Sequence, residues 1–475
     1  PSGSGKSTML RCVNALERIQ SGSICLYIPD YSKMKSLKNI NPWLWVPSLY
    51  FLEGLPYVLV NQVSTMLFTK MGVPNGQMAL FTSLLYLPWV IKPFWSPFVD
   101  LIKTKRWWII AMQAVISASF IGLTISLPHP DTAMIAAQQT PISMFAVMLI
   151  IFWITAFASA THDIAADGFY MLALTQRDQA LFVGIRSTFY RVATFFGQGA
   201  MLYIAGKLEA STGDIPTAWQ ITLLVTSVIF GVITLYHSFF LPQAQADTER
   251  QSKESRSSSV ATIAKEVGHT FVSYFKKPSI WLGITFIFLY RLPEAFLVKM
   301  INPFLVSSRE VGGLGMTTDE VGLAYGLISI VALTIGGILG GIYASRFGLR
   351  KSMWIMAAFL TLPCFSYVFL ATYMPTNFAI ITTAIAFDQF GYGFGFTACM
   401  LYMIYVSEGE YKTAHYSICT AIMGLSMMIP GLVAGFIQET LGYKNFFWMV
   451  MVCCLVTLVV TLFAYRKVDP EYGKK

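Results

Sequence analysis

Residues 142–172 read ISMFAVMLIIFWITAFASATHDIAADGFYML. About 20 apolar residues carry a helix across a bilayer, and this run is longer than that. Its second half nevertheless holds His162, Asp163 and Asp167. An ionisable side chain inside the apolar slab is costly, faces a cavity or a partner, and marks a functional path by default. Asp163 and Asp167 are four apart, so they share one helix face. The stretch therefore reads as a membrane helix with one polar face.

The rest of the chain is built the same way. Of its 475 residues 55% are hydrophobic and only 12% charged, with a mean hydropathy of +0.59. Soluble domains carry about twice that share of charge, so the chain is a polytopic, all-α membrane protein. Twelve spans are expected, at 43–69, 77–99, 107–127, 142–172, 180–206, 218–241, 279–306, 320–345, 352–373, 378–407, 413–438 and 444–465. The longest polar stretch, 243–277, divides them six and six, and paired halves of this kind mark secondary transporters. With the N-terminus inside, 24 of the 33 Lys and Arg fall on inside segments and four outside. The positive-inside rule then places both termini and the central loop in the cytoplasm. The net charge of +9 is thus membrane topology and gives no reason to expect nucleic acid. The seven cysteines show no C-x-x-C spacing and imply neither a disulfide framework nor a metal site.

The chain opens on PSGSGKSTML. Gly5, Lys6 and Ser7 fit the end of a P-loop, whose backbone N–H groups cradle phosphates. The first glycine and the preceding strand are missing, and no Walker B acid or LSGGQ-like signature follows. Residues 1–24 resemble the Walker A segment and helix of ABC-transporter ATPases, a likeness that ends at Ile24. Residues 1–33 are therefore set apart as an appended, vestigial fragment without a bound cofactor, and Met34 is a plausible true start.

Two loops repeat. SPFVDLIKTKRWW follows the second span and GIYASRFGLRKSMW the eighth. Both resemble the G-x-x-x-D-R-x-G-R-R loop of the major facilitator superfamily. The second keeps Gly341, Arg346, Gly348, Arg350 and Lys351, with Ser345 at the acid. The first keeps Asp100, Lys105 and Arg106. Asp100, Arg346, Arg350 and Lys351 are candidates for a cytoplasmic latch between bundles; simple positive-inside anchoring is the alternative. In that superfamily spans 1, 4, 7 and 10 line the central cavity, and here the buried charges gather on them: Glu53; Asp163 and Asp167; Arg291, Glu294 and Lys299; Asp388. Span 2 adds Lys92 and span 5 adds Arg186 and Arg191. The two arginines are expected beside the two aspartates, as a switch or a static ion pair. Glu53, followed by Gly54 and Pro56, is a candidate proton carrier or a satisfied structural acid. Arg291 either pairs with Glu294 or binds a substrate carboxylate. Lys92 either joins the cavity or snorkels to the interface. His162 is either hydrogen-bonded structure or a proton relay. Glycines in GYGFGF, 391–396, allow close approach or bending.

SLYFLEGLPYVLV, LYLPWVIKPFWSPFVD and THDIAADGFYMLAL together resemble the AmpG-type muropeptide permeases of that superfamily, a group also similar to acetyl-CoA transporters. The likeness covers about residues 34–466. Lys92, Trp95, Pro97 and Asp100 match its second motif. Thr161, Asp163, Ile164, Ala165 and Asp167 match T-Q-D-I-A-x-D-A, with His162 in place of glutamine and Gly168 in place of alanine. The resemblance implies the major facilitator fold, with a six-helix bundle at 34–242, a cytoplasmic linker at 243–278, a second bundle at 279–466 and a tail at 467–475. It also implies a monomer in the bacterial inner membrane that imports a sugar–peptide solute with protons and is not an enzyme. Carried over from it are Glu53, Lys92, Asp100, Asp163 and Asp167; Arg186, Arg191, Arg291, Glu294 and Asp388 come from buried charge alone. Alternatives are transport of a nucleotide thioester or peptide-like solute, an ATP-driven component, and a membrane sensor that moves nothing.

Overall fold

A computed structural model describes residues 40–174, 176–243, 268–269, 271–409, 412–470 and 472, apart from the side chains of residues 97, 100, 101, 176–177, 179–181, 183 and 412–414. The P-loop-like segment 1–33 and most of the linker 243–278 lie outside the described residues. What is described is helical, without a strand.

The first span is Pro42–Lys70 and the third Lys105–Ser126. Ile142–Ala173 is the fourth and Ile215–Phe240 the sixth. The second is built of short pieces, Asn75–Leu84, Leu87–Ile91, Lys92–Phe94 and Ser96–Leu101, because Pro88, Pro93 and Pro97 each remove a backbone donor. The fifth runs through Gln176–Phe195 and Leu202–Thr212. The seventh is Ile280–Leu289 plus Leu292–Val306, and the tenth is Phe378–Ser407. Thr318–Tyr373 carries the eighth and ninth spans, and Lys412–Ala464 the eleventh and twelfth. Each of these two segments doubles back at a single glycine: Gly348 at φ 74, ψ 162 and Gly442 at φ 72, ψ 163. Only glycine holds that conformation without strain. The twelve expected passes are thus present among the described residues.

Small residues let the helices approach, as packing in lipid requires. The GYGFGF run is used for contact and leaves its helix unbroken. A Cβ on Gly391 or Gly395 would lie 2.3 or 2.5 Å from the carbonyls of Phe359 or Met356 on the ninth span, and one on Gly393 would lie 2.1 Å from that of Leu333 on the eighth. Basic residues at one face cap helix ends. Arg106 donates to the carbonyls of Leu241 and Ser238 at 3.0 and 2.9 Å. Lys277 does the same for Val406 and Glu408, both at 2.8 Å. Free C-terminal carbonyls attract cations for this reason. Between spans, Asp214 caps the sixth helix, accepting from Thr217 N–H at 3.0 Å; the Thr217 hydrogen bonds hold its carboxyl below the usual range.

The two halves meet at the ends of the helices remote from those basic loops. Asn302 donates to Thr65 at 3.0 Å, joining spans 7 and 1. Asn75 donates to Gln438 at 2.7 Å, and Gly76 N–H, in the first turn of the second span, donates to Glu439 at 2.7 Å. A carboxylate at a helix N-terminus is favourably placed. Spans 5 and 8 join through Lys207 and Asp319 at 2.7 Å and through Glu209, which takes Lys70 at 3.0 Å, Trp219 at 2.9 Å and Thr318 at 2.8 Å. All three helices carry a widened π turn here, at Leu59–Val63, Phe196–Met201 and Gly322–Ile328 on spans 1, 5 and 8.

A Cβ at Gly442 meets nothing within 4 Å, so Gly442→Ala tests backbone strain alone. It is expected to destabilise by about 1–3 kcal/mol. Gly213→Asn, at a φ of 68 and ψ of 5 that asparagine tolerates, should be nearly neutral. Melting of the purified protein in one detergent compares the two.

Candidate functional site

Four spans of the first half converge on one cluster. Glu53 comes from the first, Lys92 from the second, Asp163 and Asp167 from the fourth and Arg186 from the fifth. The turn Lys92–Phe94 directs Lys92 inward, where Nζ donates to Asp163 Oδ2; it does not snorkel. Arg186 Nη2 lies 2.6 Å from Asp167 Oδ1. Tyr50 donates its hydroxyl to the same oxygen at 3.2 Å, and the Arg186 guanidinium sits 4.5 Å over the Tyr50 ring and 5.2 Å from that of Tyr170.

Glu53 is the third acid. It is buried near Asp163 and Asp167, and its buried Oε2 has no hydrogen-bond partner among the described residues. The cluster therefore holds three carboxyls against two cations. Among the described residues Lys92 meets Asp163 and Arg186 meets Asp167, which leaves Glu53 as the acid without a cation. The side chains of Lys92, Asp163, Arg186 and Asp167 are 26, 19, 29 and 42% exposed. The cluster is open to the space between the halves on the basic-loop side, while Thr82, Ser83 and Asn302 in the seam are buried.

Arg191 does not join it. Five residues beyond Arg186, it lies about 140° further around the helix, and it donates to Thr334 of the eighth span at 2.9 Å.

In the second half the seventh span breaks at Arg291, which has φ −101, ψ 13 and caps Leu292–Val306. Thr457 donates to the freed carbonyls of Leu289 and Tyr290 at 3.3 and 3.2 Å. The break also spoils the three-residue spacing, and Arg291 forms no ion pair with Glu294 among the described residues. Its Nη2 instead donates to the Tyr392 hydroxyl at 2.6 Å, and its guanidinium lies 4.6 Å over the Phe396 ring. Asp388 is buried and accepts from Gln389 at 3.1 Å. Lys299 lies in the seam, donating to Thr82 at 3.1 Å over the Tyr86 ring.

A polar chain missed in the sequence crosses the first half. Ser48 Oγ and His237 Nε2 are 2.8 Å apart, His237 Nδ1 and Gln113 Oε1 3.0 Å, and Gln113 Nε2 and His162 Nε2 3.0 Å. Gln113, His162 and His237 are buried. The amide donates to His162 Nε2, which must then be unprotonated, and accepts from His237 Nδ1–H. His162 is therefore held by structure. Three polar residues in otherwise apolar spans were the available signal. Gly168, the other departure from the T-Q-D-I-A-x-D-A pattern, makes room for a buried lysine: a Cβ there would lie 2.8 Å from Lys105 Cε.

Arg346 and Lys351 are exposed, Arg350 lies 5.8 Å from the Tyr465 ring of its own half, and the side chain of Asp100 is outside the described residues.

Residues 287–475 match the family model of the Major Facilitator Superfamily. The chain is 23% identical over 429 residues to the protein named AmpG 4 of Rickettsia conorii, covering 89% of this chain and 96% of that one. It is 22% identical over 419 residues to the anhydromuropeptide permease of Escherichia coli K12, covering 87% and 78%. Its fold is similar to that of a D-xylose–proton symporter, with a TM-score of 0.70, 11% identity and 91% and 99% of the two chains covered. A bacterial homologue of the human lysosomal transporter Spinster, inward-facing and unoccupied, gives 0.63 at 14% identity over 89% and 95%. The fold is the major facilitator fold, and over most of its length the chain is similar to AmpG-type permeases.

Replacing Gln113 by Leu would orphan His162 Nε2 and His237 Nδ1. The expected loss is about 1–3 kcal/mol for each unpaired nitrogen, read as a lower melting temperature. His162→Gln, which sets an amide against the Gln113 amide, is expected to cost less.

Proposed function

We propose that this major facilitator transporter carries anhydro-muropeptides into the bacterial cytoplasm with protons, by alternating access. The observation that carries the reading is a cluster of three acids and two cations among the described residues, in which Glu53 is buried near Asp163 without a cation of its own. With one proton on the Glu53–Asp163 pair the cluster is neutral and can be enclosed. Without it, one negative charge is left over and favours the hydrated, open arrangement. Proton gain and loss then bias which side is open, by differential stability of the two states. The outer seam is shut and the cluster reaches the basic-loop side, which the positive-inside rule makes cytoplasmic. This arrangement corresponds to the step at which solute and proton leave inward. In the opposite state the basic loops close up, and Asp100, Arg346, Arg350 and Lys351 latch there. The solute class comes from likeness to the anhydromuropeptide permease and to AmpG-named relatives. A large polar sugar–peptide also suits the partly exposed rings of Tyr57 and Trp89, which pack together.

The test is uptake of labelled anhydro-muropeptide into vesicles from cells making a Met34-start protein. It is run with an imposed pH gradient, with an uncoupler, and with ATP alone. Gradient-dependent uptake abolished by the uncoupler is expected. Uptake driven only by ATP in the full-length chain, and lost in Lys6→Ala, would replace this reading with the ATP-driven one. Binding without any uptake would favour a sensor.

Glu53→Gln is the sharper variant, because Glu53 forms no ion pair among the described residues and both salt bridges survive its loss. It is expected to reduce gradient-driven uptake to background with the melting temperature unchanged. Asp163→Asn should also abolish uptake while the protein stays folded. Wild-type pH dependence in both variants removes this pair from the coupling mechanism.

A further inference from the structure

The two halves treat their cations differently. In the first, Lys92 and Arg186 each meet a carboxylate. In the second, Arg291 meets only a phenol and a ring face. It is 7% exposed, and its Nε–H is buried with no acceptor. An arginine so enclosed is expected to find an anion, since a buried charge without one is strongly disfavoured. Glu294 lies in the first turn of the same helix, but among the described residues no carboxylate is within ion-pair distance of the guanidinium.

The backbone adds a second, independent feature. The break at Tyr290–Arg291 gives the seventh span a new N-terminus at Leu292, followed by Pro293. Half-helices of this kind, interrupted within the membrane, turn their positive ends to anionic groups of the solute in secondary transporters. The break costs little here because Thr457 satisfies the freed carbonyls. It places the helix dipole and Arg291 together, with Tyr392 bracing Nη2 and leaving the guanidinium edge that carries Nε free.

We propose that Arg291 and the broken seventh span form a monocarboxylate subsite that holds a free carboxylate of the solute's peptide. The planar fork offers Nε and one Nη to the two oxygens of that group. The Phe396 and Tyr392 rings close one side of the guanidinium. Charge number sets the class. Among the described residues Arg191 and Lys299 also meet no carboxylate, but Arg191 is taken by Thr334 and Lys299 is shut in the seam against Thr82, which leaves Arg291 as the arginine with a buried donor unsatisfied. A nucleotide thioester would bring several phosphate charges against that single arginine, and a carboxylate brings one. The proton site and the solute's anion site are therefore on opposite halves. This rests on the muropeptide reading for the identity of the solute, but not for the chemistry of the subsite.

The experiment is equilibrium binding to the purified full-length protein. The probes are an anhydro-muramyl tripeptide, the same compound with its carboxyls amidated, and the anhydro-sugar without peptide. A second series is N-acetylated tripeptides and their amides. Wild type should bind the acid about 10- to 100-fold more tightly than the amide, the range of a charged hydrogen-bonded contact. In Arg291→Gln the acid should fall to the level of the amide, with amide and bare sugar unchanged. Tyr392→Phe, which removes the brace but keeps the charge, should lose part of the preference. If Arg291→Gln does not fold, Arg291→Lys replaces it, and there too the acid preference must shrink because the fork is gone. Retained discrimination in these variants overturns the subsite. So does equal binding of acid and amide by wild type in both series, absence of binding included. Acid preference confined to the simple peptides and lost in Arg291→Gln upholds the subsite while removing the muropeptide as the solute.

Discussion

Two cations and three carboxyls inside an apolar slab must neutralise one another, and the architecture of the first half follows from that requirement. No single helix can satisfy it. Glu53, Lys92, Asp163, Asp167 and Arg186 come from four spans, and each is worthwhile only because the others arrive. The second span is broken into short pieces where Lys92 has to turn inward. The Tyr50 hydroxyl and ring fill the remaining valences of Asp167 and Arg186. The odd carboxyl left over is what the proposed proton coupling rests on.

The second half is governed by contact rather than charge. Glycines on the tenth span face carbonyls of the eighth and ninth at distances no side chain would permit. Glycines also line the seam, where a Cβ on Gly326 would lie 2.2 Å from the Gln198 carbonyl and one on Gly435 2.0 Å from that of Asn75. The seam thus combines close backbone approach with a few exchangeable polar bonds, such as Asn75–Gln438 and Lys207–Asp319. Such a surface can separate without stranding a buried ion pair, because its Lys207–Asp319 pair is partly exposed and Lys299, buried in the seam, is held by a hydroxyl.

Hydropathy made the twelve spans legible, because each must cover the same thickness of hydrocarbon. The polar residues inside them pointed to Glu53, Lys92, Asp163, Asp167 and Arg186, since buried charge has so few structural uses. Side-chain direction was less legible. Arg186 and Arg191 looked alike in the sequence, yet a five-residue separation turns them to different neighbours. Arg291 and Glu294 looked like a pair until the backbone broke between the two halves of their helix. The His162–Gln113–His237 chain depends on spans 3, 4 and 6 meeting at one height, which no local pattern encodes. His162 and Gly168 stood out as departures from a family motif, but their reasons, an amide partner and a lysine stem, lie on other helices. The short turns at Gly348 and Gly442 were read as ordinary loops, because hydropathy is blind to φ.

Those two glycine turns have a mechanical consequence. Spans 8 and 9 share no slack, and neither do spans 11 and 12, so each pair is one hairpin with a single point of reversal. A pulling force applied beyond such a hairpin reaches the second helix as soon as the first begins to move, with no contour length of loop to be drawn out between them. Extraction from a bilayer should therefore proceed by hairpins in this half of the molecule. For the same reason neither turn offers a place where an inserted segment could be accommodated without prising two helices apart.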